Sequence, residues 1–339
     1  MLPVVVQKQV CQQTVALLSP LWKQIGNCFS SNARETKGQN ALRYENENHS
    51  LRLEITKLRA LLEQTKTLEE LTKEKNLYQQ LGPVRRYEEA YFLCKSLQKG
   101  LPARVIYRDP AHWSSALWIN VGERTNEALH EKIIQKNSPV VIGRAVVGVI
   151  DEVGKEQSRV RLITDVGLKP SVRAVRGYPQ HIVIQEQIER LLRSLQADQE
   201  GTYPEKIASL CTQLEGAKKY FSEMTPSWYL AKGVLQGQGT PLWRCTKNTL
   251  RGFGFNYDFA DEEGPTKTKA SFLQEGDLLI TTGMDGVFPA GLRVAQVTRL
   301  LPLREGSYTY EIEAIPMIRN MNEISSVFIL PSISPSLLR

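Results

Sequence analysis

Nucleophilic catalysis needs a Ser or Cys in a sharp, glycine-flanked turn, with a His and a carboxylate brought to it from elsewhere in the chain. The sequence offers no such turn. Asp165 and Asp277 fall at the ends of strand-like runs and could nominally partner His112 or His130, but without a nucleophile they read as turn-forming aspartates. Gly233, Gly237 and Gly239 are too loosely arranged for a phosphate loop, since no Lys-Ser or Lys-Thr follows. The cysteines are Cys11, Cys28, Cys94, Cys211 and Cys245. They contain no CxxC pair, and an odd number cannot all pair within one chain, so zinc fingers are excluded and the disulfide state stays open. His49, His112, His130 and His181 stand apart from one another and from any cysteine cluster. No metal site, cofactor or enzymatic activity is therefore expected.

One stretch suits recognition of nucleic acid. In Arg251-Gly252-Phe253-Gly254-Phe255-Asn256-Tyr257-Asp258 the first five positions follow the RNP1 pattern of RNA-binding sheets. On a strand, Phe253, Phe255 and Tyr257 would share a face and stack bases, with Arg251 near a phosphate. Against this, Asn256 stands where an apolar residue belongs and Asp258 where an aromatic one belongs. Asp261, Glu262 and Glu263 would repel RNA, and the chain beyond reads as strand and turn where a helix is required. An RNA-binding protein using Arg251–Asp258 is thus the alternative to the reading reached below.

The frame for any site is set by 339 residues, 41% of them hydrophobic, enough for about two domains with cores. The charged fraction of 23% speaks against general disorder. Forty-three Lys and Arg against 36 Asp and Glu leave +7, a modest excess that reads as a solvated surface more readily than as a nucleic-acid footprint. No run approaches the ~18 apolar residues of a spanning helix, and a signal-peptide start is lacking. Leu2 to Val6 is a short apolar stub, followed by a helical pattern through Val10, Thr14, Val15, Leu18, Leu21, Trp22 and Ile25 that Pro20 interrupts. The expectation is a membrane-proximal segment over 1–39, with the membrane anchor itself upstream of residue 1.

From Tyr44 the apolar spacing alternates four and three: Leu51, Ile55, Leu58 and Leu62 continue a seam in which Asn48 takes an a position. This predicts a coiled-coil dimer seam of Tyr44, Asn48, Leu51, Ile55, Leu58 and Leu62, with the lone Asn favouring a parallel, in-register pair. The seam fades after Leu71, Gly82-Pro83 breaks the helix, and a second helical stretch covers Tyr87 to Leu97. The coiled coil and helical linker thus occupy 40–98.

Beyond Pro102 the texture turns to short Val- and Ile-rich runs: Ala103 to Tyr107, Ala116 to Val121, Val140 to Val153, Val160 to Thr164 and Val172 to Val175. They read as antiparallel strands of a first small β-barrel region over 101–176, with a helical stretch at His130 to Lys136. Helical spacing returns through Ile184, Ile188, Leu191, Leu192 and Leu195, then Ile207, Leu210, Leu214 and Phe221, with Gly201 to Pro204 as the turn. Two antiparallel helices follow, a hairpin insertion over 177–228. Strand texture resumes over 229–332 as a second β-barrel region, leaving 333–339 as a tail. The fold class is mainly β with helical parts: coiled coil, two small antiparallel β-barrels that could exchange strands, and an inserted helical hairpin.

The most informative segment runs from Gly276-Asp277 through the apolar strand to Thr281, Thr282 and Gly283, then Gly286, Val287, Phe288, Pro289, Gly291, Leu292, Val294 and Val297. Physically it is a turn, a buried strand, a glycine turn, an apolar wedge, another glycine turn and a strand, as a small barrel's corner requires. Phe288 could fold inward as a plug or face outward as a partner anchor, and the Gly-flanked backbone favours the plug. This order closely resembles the signature of the MreC family of bacterial rod shape-determining proteins. Supporting positions are Gly143-Arg144, Gly148, Thr164-Asp165, Gly233 and Gly237. The resemblance covers about 40–176 and 229–330 and departs at Ala295, at Thr282 and in the longer helical insertion.

What the resemblance implies is a non-catalytic scaffold of the cell-wall elongation complex, organising peptidoglycan synthesis and maintaining cell shape. It implies the periplasmic side of the bacterial inner membrane as location. Its implied partners are itself, as a homodimer or higher assembly, MreB, MreD, RodA and a penicillin-binding protein 2-type transpeptidase.

Overall fold

The computed structural model describes residues 84–109, 112–197, 204–221, 227–239, 248–255, 273–301 and 309–332, together with 54, 58, 61, 62, 64–76, 78 and 79. The chain divides into two compact units, Met1–Arg59 and Ala60–Arg339. The first is described at Glu54 and Leu58, both helical and exposed. Tyr44, Asn48, Leu51 and Ile55 of the expected seam lie outside the described residues, as does the segment 1–39. Leu62, in the second unit, is helical and more than half exposed.

The second unit is mixed α/β, with a six-stranded antiparallel β-barrel, further strands, and helices. Its strands are β1 Leu101–Tyr107, β2 Ala116–Ile119, β3 Pro139–Ile142, β4 Ala145–Val153, β5 Ser158–Leu162 and β6 Ser171–Arg176. They continue as β7 Trp228–Gly237, β8 Leu250–Phe255, β9 Leu278–Thr281, β10 Arg293–Leu300, β11 Tyr310–Pro316 and β12 Ser326–Ile329. The helices are α1 Val84–Gln98, α2 Glu123–Leu129, α3 Tyr178–Ala197 and α4 Pro204–Phe221, preceded by the helical run 64–76. The barrel runs β4-β3-β12-β1-β2-β5 and closes where β5 pairs back on β4. The other six strands pair in the order β11-β8-β7-β6-β9-β10, and β11 returns to β10. A single parallel bridge, Arg293 with Ala145, joins β10 to β4. Two strands leave the ring of the strand that precedes them: β6 follows β5 yet pairs with β7 and β9, and β12 follows β11 yet pairs with β1 and β3.

The continuous apolar runs have a definite cause. Along β4, Val147 and Ile150 point into the barrel core with Leu117, Ile119, Val160 and Leu162, whereas Val146 and Val149 belong to the larger neighbouring core. β12 divides in the same way, with Val327 and Ile329 on one side and Phe328 on the other. These strands form a wall buried on both faces, so they show no polar alternation. The tightest point of closure is Gly148, where a Cβ would lie 1.9 Å from the carbonyl oxygen of Arg161 on β5. Gly148→Ala is expected to force the β4–β5 ladder apart and cost about 3 kcal/mol or more, read as a lowered urea midpoint. A midpoint within error of the parent would refute this account of closure.

Two boundaries differ from the sequence expectation. The run read as Val140 to Val153 is broken by a turn at Gly143 and Arg144 into β3 and β4. The helix expected at His130 to Lys136 lies earlier, as α2. Its C-cap is His130, in the left-handed region, and the Asn126 side chain then captures the loop: Oδ1 accepts from the amides of Ile133 and Ile134, and Nδ2 donates to the Ile134 carbonyl. These side-chain bonds give the backbone of residues 133–134 an alternative to helical pairing.

α3 and α4 fill the connection between the adjacent strands β6 and β7 as an antiparallel pair. Lys218 bonds Glu189 at 2.7 Å, and the His181 ring meets Phe221 edge to face. The base of α3 is seated by Val183 against Val175, Tyr229, Leu278 and Ile280. Gln180 also donates to the carbonyl of Gly276.

Candidate functional site

The corner between β9 and β10 is built from side chains that replace missing ladder bonds. Thr281 Oγ1 accepts from the Leu292 amide and donates to the Pro289 carbonyl, while its backbone exchanges bonds with Leu292 and Gly291. Asp285 Oδ1 accepts from the amides of Val287 and Phe288, and its Oδ2 accepts from Ser171 at the head of β6. Thr282 Oγ1 donates to Ser171 Oγ at 2.9 Å. Gly276, Gly283, Gly286 and Gly291 all have positive φ. Within this frame Phe288 is 1% exposed and lies in the larger core with Leu292, Val294 and Val297. Asp277, buried beneath the preceding turn, accepts both Arg176 Nε and Nη2 at 2.8 Å and the Gln274 amide. A bidentate, charge-assisted pair in that position fixes β9 to β6.

The supporting positions serve close approach and turns. A Cβ on Gly237 would lie 2.1 Å from the carbonyl oxygen of Thr164, whose hydroxyl donates to Ser114. Asp165 Oδ1 accepts from the Gly167 amide, the turn-forming role read from sequence. Gly143 has positive φ beside Thr67 of the 64–76 helix.

The aromatic-glycine strand does not present a stacking face. Phe255 is fully buried, and Gly252 and Gly233 are small because its ring lies over them: a Cβ would stand 2.8 Å and 2.6 Å from its Cε2. Arg251 is paired with Glu311. Asn256, Tyr257 and Asp258 lie outside the described residues.

A second site, absent from the sequence reading except for Arg144, lies where the helices meet the strands. Glu70 and Glu74, four residues apart, occupy one face of the 64–76 helix. They meet Arg293 and Arg144, held side by side by the β10–β4 bridge. Arg144 Nη1 donates to Glu74 at 2.6 Å with both side chains nearly dry, and its Nη2 donates to the Gly291 carbonyl. Burial works against the Arg144 charge, but Glu74, Tyr78 and Glu70 outweigh it and hold its pKa above the ordinary value. Tyr78 donates to Glu74 and shares a 2.6 Å hydrogen bond with Tyr229. The Arg86 guanidinium lies 3.6 Å from the Tyr229 ring centre. Burial, with Glu74 nearby, pushes the Tyr229 hydroxyl up to about 12. Arg293 Nη1 donates to Glu186 of α3 at 2.7 Å, and Nη2 faces Glu70 at 3.6 Å. The paired spacing of Glu70 and Glu74 around buried Leu71, and an Arg inside an apolar strand at 293, were the sequence signals for this seam.

Burial raises the Glu70 pKa above the usual carboxylate value. Arg293 and Arg144 oppose it, and Glu186 and Glu74 add to it. The folded state therefore binds a proton more readily than the unfolded one. Glu70's contribution to stability falls as pH rises from the unfolded value of about 4.5 through the raised folded value, and is constant above that. Glu70→Gln should melt higher than the parent at pH 7, with the gap closing below about pH 4.5. A variant that melts lower at pH 7 would contradict this.

Among the described residues, no three or more His, Cys, Asp or Glu side chains are placed to hold a metal ion, and no helix is long and apolar enough to cross a membrane. The charged groups of the seam are aimed at one another across helix, hairpin and strand. The chain belongs to the MreC family: the family described as rod shape-determining protein MreC, barrel core, matches residues 105–209 and 251–331. That family is a non-catalytic scaffold, so the chain is not an enzyme. A search of the curated proteins finds no match.

Several solved structures are similar. The crystal structure of MreC from Pseudomonas aeruginosa is 19% identical, with 68% of this chain and 98% of that one covered at a TM-score of 0.40. The major periplasmic domain of the cell shape-determining filament MreC is 15% identical, covering 68% and 95%, with a TM-score of 0.40. MreC in a complex with penicillin-binding protein 2 from Helicobacter pylori is 13% identical, covering 68% and 97%, with a TM-score of 0.35.

Proposed function

We propose that this chain works on the periplasmic side of the inner membrane as the scaffold of the cell-wall elongation complex, holding a penicillin-binding protein 2-type transpeptidase to the rod-shape machinery. The observation that carries this is the family match, whose two segments include strands of both pairing rings. A relative's structure contains that transpeptidase, and another relative is described as a periplasmic domain and filament. MreB, MreD and RodA are the further partners we assign by family membership. A pull-down from cell membranes with residues 60–339 as bait tests the reading: recovery of the transpeptidase supports it, and its absence under conditions that recover a family homologue's partner would overturn it.

The finer architecture belongs to the same proposal. The two six-stranded rings act as two barrels that have exchanged β6 and β12, with the hairpin carried on the second of them between β6 and β7. The 276–297 corner is the structural element that keeps the second barrel's end closed. Self-association runs through the coiled-coil seam, supported by the exposure of helical Leu58 and Leu62. Light scattering at high micromolar concentration should give a dimer or larger, and a strict monomer would remove the seam.

RNA binding through Arg251–Asp258 lacks a platform, because Phe255 is buried and Arg251 is paired. Filter binding should detect no salt-sensitive RNA affinity that Phe253→Ala removes.

A further inference from the structure

Arg293 serves two carboxylates unequally. Its guanidinium is 6% exposed, so water cannot readily replace a lost partner. Glu186, from the hairpin helix α3, receives a full charge-assisted hydrogen bond at 2.7 Å. Glu70, from the 64–76 helix, stands at 3.6 Å, within ion-pairing range but beyond a hydrogen bond. One turn further along that helix, Glu74 is held by Arg144 at 2.6 Å. The helix therefore makes a hydrogen-bonded ion pair at Glu74 and a longer, unbonded one at Glu70. Around these contacts the helix is seated by Leu71, wholly buried, by Leu68 packed on the same core, and by Gln64, which donates to the Leu97 carbonyl at 2.8 Å. The change open to the clamp is therefore a tightening of the Glu70 contact and not a displacement of the helix.

We propose that Arg293 is a shared clamp for which the hairpin and the 64–76 helix compete, so that withdrawing Glu186 lets the guanidinium close on Glu70 and seats the helix more firmly on the strands. The two carboxylates repel each other across one cation, and what one gains the other loses. The groups facing Glu70 from the packed elements are Arg293, Arg144, Glu186 and Glu74, with Tyr178 at the start of α3 close by. Removing the Glu186 charge leaves Glu70 with a cation of its own. The coupling is thus of opposite sign to that of an ordinary stabilising contact: loosening the hairpin tightens the helix. The Glu74–Arg144 pair stays in place, and the contact that tightens is Glu70–Arg293.

Hydrogen exchange on the folded chain decides the matter, with Glu186→Gln as the probe. Amides of 64–76 should exchange roughly two- to fivefold more slowly than in the parent. In the same variant the Glu70 carboxyl, followed by carbon-13 NMR, should titrate at lower pH, while amides at the start of α3 exchange faster. The slowing should vanish in Glu70→Gln/Glu186→Gln. Glu215→Gln, which removes a carboxylate from the exposed side of α4 without touching Arg293 or the helix, should leave 64–76 unchanged. Unchanged or faster exchange of 64–76 in Glu186→Gln would overturn the clamp, as would equal slowing in Glu215→Gln or slowing that survives in the double variant.

Discussion

Glu74→Ala is expected to cost about 3–5 kcal/mol, because it strands the Arg144 guanidinium in a nearly dry site with no opposing charge at hydrogen-bond distance. For a body of this size that is a fall in melting temperature of roughly 5–9 °C. The cost is a property of the broken pair and not of the intact one. Two buried ions give up so much hydration that the pair itself contributes little net stability, while either ion alone is severely penalised. Glu74→Leu combined with Arg144→Met should therefore recover most of the loss, provided the two side chains pack against Leu71 and Leu93. Urea titration of the single and double variants checks both halves. A single variant within about 1 kcal/mol of the parent would mean that water reaches Arg144.

Phe288→Ala should be comparably damaging, at about 3–5 kcal/mol. The ring is fully enclosed, and the corner around it cannot collapse into the space it leaves. Asp285 holds the Phe288 amide on one side, and Thr281 holds the Pro289 carbonyl on the other. A rigid frame preserves a cavity, and preserved cavities are the costly ones. Phe288→Leu, which retains much of the volume, should lose less. A melt of Phe288→Ala indistinguishable from the parent would place the ring outside the core.

The β strands were legible in the sequence because their burial is extreme. Val146 to Ile150 reads as a strand without alternation since each face meets a different core. The corner at 276–297 was legible for a related reason, as four glycines at positive φ around a Phe-Pro pair leave few other readings. Arg251 to Phe255 shows the limit of such patterns. Alternating Gly and Phe is what a base-stacking sheet needs, and equally what a strand needs when a neighbouring Phe ring must lie flat on glycine backbone; only the burial of Phe255 separates the two. The charged seam was hidden because Glu70, Glu74 and Glu186 sit in helices where solvated carboxylates are ordinary, and their partners are supplied by strands far along the chain. The spacing of Glu70 and Glu74 is a signal shared with many solvated helix faces, so it does not by itself mark a carboxylate that a distant arginine will bury.

The placement of β12 governs when the barrel can come into being. Leu101 pairs with Ile329, and Val140 with the same residue on the other side. β1 to β5 can form hairpins as they are made, yet the gap between β1 and β3 stays open until residues 326–329 arrive. Through all the synthesis in between, two apolar strand edges lie unpaired, a state prone to aggregation. Closing so long a loop also makes folding slow, since chain entropy is spent before the last strand returns any contact. A nascent chain halted between β5 and β12 would carry five of the barrel's six strands and none of its closure.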